Sequence, residues 1–81
     1  WRPLIMASLN QMLERCSTGR RYIYLCLQNR TTSSNQIEIL PGLKADVIIH
    51  GHPKENGRKY LPTIVSLECK DLFNYSMGDA S

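Results

Sequence analysis

Two stretches of strict two-residue alternation constrain the fold of this chain more than any other feature. From Arg21 to Gln28, Ile23, Leu25 and Leu27 fall on one face and Tyr22, Tyr24, Cys26 and Gln28 on the other. From Leu61 to Cys69, Thr63, Val65, Leu67 and Cys69 alternate with Ile64, Ser66 and Glu68. β-Branched and aromatic residues at period two are the pattern of half-buried strands. Two further segments join them. Gln36 to Leu40 alternates through Ile37 and Ile39 and ends at the turn pair Pro41-Gly42. Asp46 to His50 carries Val47, Ile48 and Ile49 in succession, the pattern of a strand covered on both faces. Leu72 to Ser76 is read as a short fifth strand after a break at Lys70-Asp71.

One segment departs from this period. Ile5, Leu9, Met12, Leu13 and Cys16 recur at spacings of three and four, with Pro3 suited to a first helical turn and Gly19 following as a stop signal. The expectation is therefore a mainly β chain with one N-terminal helix, curled into a small, strongly bent antiparallel barrel of four to five strands. Residues 1–76 make the domain and residues 77–81 a flexible tail. The loop from His52 to Lys59 holds the hairpin dipeptide Asn56-Gly57.

At 81 residues the chain is one domain near the lower limit for independent folding, so completion by a partner is expected. The 42% apolar and 21% charged residues place it among globular chains. No apolar run nears the ~18 residues of a membrane span, and Pro3 to Cys16 lacks the continuous apolar core of a signal peptide. The three cysteines, Cys16, Cys26 and Cys69, are an odd set without C-x-x-C spacing. They read as buried, reduced thiols of a cytoplasmic and nuclear protein. The glycosylation triplets Asn29-Arg30-Thr31 and Asn74-Tyr75-Ser76 point the other way, to a secreted β-sandwich, an effector or surface module, with Cys26 bridged to Cys69.

The chemistry of catalysis is hard to assemble from these residues. His50 and His52 flank Gly51, but the chain has no other histidine and only three aspartates, too few for a metallophosphoesterase-like ligand set. Each cysteine lies in an apolar pattern that keeps a thiol protonated, and there is no triad or glycine-rich phosphate loop. No enzyme activity, cofactor, metal or small-molecule substrate is expected.

The helix ending at Leu9 to Leu13 and the closing run Leu67-Glu68-Cys69-Lys70-Asp71-Leu72-Phe73-Asn74-Tyr75-Ser76 resemble the Sm and Sm-like proteins, most nearly the Sm-fold gemin subunits of the survival-motor-neuron complex. His52 to Lys59 is similar to the loop before strand four in the Sm-like domain of decapping enhancers. The family's Asp and Asn pair after strand two is missing from Ile39 to Ala45, and Lys70-Asp71 stands where its Arg-Gly or Lys-Gly pair would be, so its uridine pocket is not expected. What the resemblance implies is a non-catalytic subunit that pairs edge to edge with another Sm-fold protein, as a hetero- or homodimer through strands four and five, in ribonucleoprotein assembly. Ile64, Val65, Leu67, Leu72, Phe73 and Tyr75 would lie at or beside that contact. A second reading is an RNA- or single-strand-binding barrel using Arg20, Arg21, Tyr22, Tyr24 and Lys59, with the net charge of +3 as weak support.

Overall fold

The computed structural model describes residues 7–27, 32, 34–50 and 63–78. Helix α1 covers Leu9–Cys16 and begins at a capping box. The Ser8 hydroxyl accepts the Gln11 N–H at 3.2 Å, and the Gln11 side-chain oxygen accepts the Ser8 N–H at 2.7 Å. These two bonds satisfy N–H groups that a helix start leaves without partners. The helical spacing read from Pro3 therefore starts later among the described residues, because Ser8 serves as the cap rather than as part of the polar face. Pro3 itself lies outside them.

Four strands follow: β1 (Tyr22–Leu27), β2 (Gln36–Leu40), β3 (Leu43–Ile49) and β4 (Thr63–Glu68), and the chain closes with helix α2 (Cys69–Ser76). They form one antiparallel sheet in the order β1-β4-β3-β2. The fold is thus mainly β as expected, an open sheet with two helices rather than one. β2 and β3 are joined by Pro41-Gly42, where Gly42 takes a φ of 83°, a left-handed conformation that glycine adopts without strain. This tight turn starts β3 three residues earlier than the alternation from Asp46 suggests.

The register sorts side chains between two faces. Ile23, Leu25, Leu27, Leu43, Ala45, Val65 and Leu67 point to one side and are buried there with Met12 and Cys16 of α1 and Cys69 and Leu72 of α2. Both helices therefore cover the same face, and the arrangement is two layers. The other face carries Tyr22 and Tyr24, Ile64, Ser66 and Glu68, Lys44 and Asp46, and Gln36 and Glu38, with no described helix on it. The double cover expected for β3 is not found. A register shift between Val47 and Ile49 turns the strand end outward, and Ile48 and Ile49 are each 50% exposed.

Two expectations are corrected here. The segment expected as a fifth strand is α2: Cys69, Leu72 and Tyr75 recur at intervals of three and face the core, Asp71 suits the positive end of a first turn, and Gly78, at a φ of 85°, follows the last turn. The thiols are also not all free. Cys16 at the end of α1 and Cys69 at the start of α2 form a disulfide, with Cα atoms 5.6 Å apart, and Cys26 is the buried free thiol. The Cys26–Cys69 pairing is excluded by that bridge. The hairpin dipeptide Asn56-Gly57 and Lys59 lie outside the described residues.

Candidate functional site

Strand order decides which backbone groups remain available to another molecule. β4 is flanked by β1 and β3, so its hydrogen-bonding groups are used on both sides within the chain. Among the described residues the free edges belong to β1 and β2. β2 is a guarded edge, since it has five residues, breaks register between Glu38 and Leu40, and carries Glu38, whose carboxylate accepts the Gly42 N–H at 3.1 Å.

β1 has none of these guards. Its six residues, Tyr-Ile-Tyr-Leu-Cys-Leu, contain no charge, proline or glycine and pair with β4 in unbroken register. The direction of its backbone groups follows from one bond: the Cys69 N–H donates to the Arg21 carbonyl at 3.0 Å, in register with Tyr22 opposite Glu68. Because alternate residues of an antiparallel strand bond to the same neighbour, Arg21, Ile23, Leu25 and Leu27 address β4. Tyr22, Tyr24 and Cys26 therefore turn their N–H and C=O groups away from β4, and of these Tyr22 and Tyr24 are exposed whereas Cys26 is buried. Among the described residues nothing bonds to them there.

A concavity of about 340 Å³ opens beside this edge, lined by Glu14, Arg15, Thr18, Arg20, Ile23 and Tyr24. α1 positions its upper wall. The Thr18 hydroxyl donates to the Arg15 carbonyl at 2.8 Å and closes the last turn of the helix. Next to it, the Arg21 guanidinium lies 5.7 Å from the Tyr22 ring centre, within cation–π range. Three arginines and one glutamate thus surround the start of β1, and Tyr24 stands 62% exposed at its middle.

The structure places the residues singled out in the sequence in two ways. Arg20, Arg21, Tyr22 and Tyr24 come together at the β1 edge, while Lys59 lies outside the described residues. Of the six residues assigned to a subunit contact, Val65, Leu67 and Leu72 are buried in the core, Ile64 is half-buried in a central strand, Tyr75 packs against the core, and Phe73 is exposed on α2. They do not form one surface. Sequence reading missed Glu14, Arg15 and Thr18, which only the packing of α1 beside β1 brings to the strand edge. His50 bonds through Nδ1 to the Thr32 carbonyl, and no group of three or more His, Cys, Asp or Glu that could hold a metal ion occurs among the described residues. No described helix is long and apolar enough to cross a membrane.

Comparison with protein-family models, with curated proteins and with solved structures finds no match to this chain.

Proposed function

We propose that the chain is a non-catalytic binding module of an oxidising compartment, secreted or held at a surface, that meets a protein partner. The bridge between Cys16 and Cys69 carries this reading. Disulfides persist where thiols are not kept reduced, and small domains with little core depend on them. Two of the three thiols are consumed by that bridge and the third is buried in the sheet, which leaves no accessible thiol nucleophile among the described cysteines. Among the described residues the sheet face opposite the helices has Glu38, Asp46 and Glu68 against Lys44, a balance that disfavours a phosphate backbone laid across it and suits a mixed protein surface.

Thiol counting tests the reading. Protein isolated from its own source under alkylation, then denatured without reductant, is expected to carry one blocked cysteine after labelling, and three after reduction. Three labels without reductant would sink it.

The Sm-like reading, a strongly bent barrel acting in ribonucleoprotein assembly in the cytoplasm and nucleus, is the second proposal. The register shifts in β2 and β3, which bend a sheet, and the helix preceding four antiparallel strands favour it. In that reading the neighbour would have to join β1, because β4 has no unpaired side. Co-expression with Sm-fold proteins tests it, and a stable monomer that captures none of them counts against it.

A further inference from the structure

We propose that β1 is a docking edge for an extended acidic peptide segment of a partner protein, which adds to the sheet as a strand beside Tyr22 and Tyr24. The inference rests on the protein-binding reading above and deepens it by naming the surface and the chemistry of the occupant.

Three observations converge on one edge. Tyr22 and Tyr24, both exposed, present backbone donors and acceptors outward, spaced as one side of an antiparallel ladder, and among the described residues nothing bonds to them. An added strand satisfies such groups, and pockets beside it select alternate side chains. The concavity lined by Glu14, Arg15, Thr18, Arg20, Ile23 and Tyr24 lies where a side chain of that strand would drop between α1 and β1. Its charge decides which side chain. Arg15 and Arg20 face it against the single carboxylate of Glu14, and Arg21 stands beside it, held over Tyr22. The fork of an arginine matches a carboxylate, so Asp or Glu on the incoming strand is the complementary residue. A basic segment would meet three like charges. β2 offers no competing site, since its bulge and Glu38 guard that edge.

The test uses the oxidised full chain and a phage-displayed library of random dodecapeptides. Tyr24→Pro removes one outward N–H and leaves the β4 ladder intact, because proline is tolerated where an edge strand turns its N–H to solvent. Wild type is expected to enrich proline-poor peptides carrying Asp or Glu between β-branched residues, and Tyr24→Pro is expected to enrich none. The Arg15→Ala/Arg20→Ala pair should weaken a selected peptide about tenfold and erase the acidic preference. Amide exchange of the wild type gives a readout independent of any variant's folding. A selected peptide should slow exchange at Tyr22 and Tyr24 while Ile23 and Leu25, already bonded to β4, change little. No enrichment on wild type, equal enrichment on Tyr24→Pro, or protection located elsewhere overturns the proposal. So does a wild-type dimer that Tyr24→Pro dissolves, which would assign the edge to a second copy. Thiol counts on the same samples separate the two ideas: an intact bridge with no peptide binding removes the edge proposal alone, and three free thiols remove the reading beneath it.

Discussion

Breaking the bridge between Cys16 and Cys69 is the perturbation whose size the structure fixes best. The two residues are 53 positions apart, so the bridge closes most of the chain into one loop. A cross-link removes loop-closure entropy from the unfolded chain, and for a loop of this size that amounts to about 4 kcal/mol at 25 °C. A domain of this length has a total stability of about 4–12 kcal/mol, so the loss is a third or more of the whole. With a urea slope of about 1 kcal/mol/M for so small a domain, the midpoint should fall by about 4 M. The thermal midpoint should fall by roughly 15–30 °C. Urea melts of the oxidised protein, the same protein under reductant, and Cys16→Ala/Cys69→Ala measure it directly. Agreement between the last two separates the cross-link from the small change in buried volume. A shift corresponding to less than about 1 kcal/mol would show that the ends of α1 and α2 are not held together in the folded chain, and would refute the proposed oxidising compartment with it.

The helical reading of the closing segment is tested by a pair of neighbours. Leu72 is fully buried and Phe73 is exposed, so Leu72→Ala should cost about 2–5 kcal/mol in a denaturant melt, whereas Phe73→Ala should stay near 0.5 kcal/mol; the reverse order would refute the placement of α2. Ser8→Ala removes one arm of the capping box and should cost about 1 kcal/mol, read from the same melts, with Ser8→Gly costing only a few tenths. Asn74 is exposed on α2 within the triplet Asn74-Tyr75-Ser76. Expression through a eukaryotic secretory pathway should therefore add a glycan there that Asn74→Gln abolishes, seen as a gel shift lost on deglycosylation.

Strand positions were legible because burial on one face only writes itself as alternation. β2 occupies the predicted residues, and β4 buries Thr63, Val65 and Leu67 while Ile64, Ser66 and Glu68 stay partly open. The closing helix was misread for a physical reason. Over eight residues Leu72, Phe73 and Tyr75 satisfy a strand's composition as well as a helix's spacing, and the run follows a true strand without a glycine or proline between them. The discriminating signal was the interval of three linking Cys69, Leu72 and Tyr75. Cysteine pairing was beyond local reading, because three cysteines allow three pairings and only the docking of α1 against α2 chooses among them. The edge site had the same limit. Arg20, Arg21, Tyr22 and Tyr24 are visible as neighbours in sequence, but whether their strand is central or peripheral depends on where β4 inserts.

That insertion also ties the disulfide to the β1 edge. β1 and β2 follow each other in sequence yet stand at opposite sides of the sheet, and the last strand made fills the gap between β1 and β3. The α1–β1 unit is therefore fastened to the rest of the described fold along a single seam, the β1–β4 ladder together with the contacts of α1 with α2, and the disulfide lies at the end of that seam. A strand with one bonded side needs that side secure if it is to offer the other to a partner. If the seam loosens, β1 exposes both rows of backbone groups and becomes a site of unselective association rather than recognition. The covalent link holds the bonded side in register, so that under the proposal above Tyr22 and Tyr24 would meet a partner at a fixed distance from Arg15 and Arg20. If β1 takes an acidic strand as proposed, that selectivity is expected of the oxidised chain, and reduction should broaden what the edge accepts before it unfolds the domain.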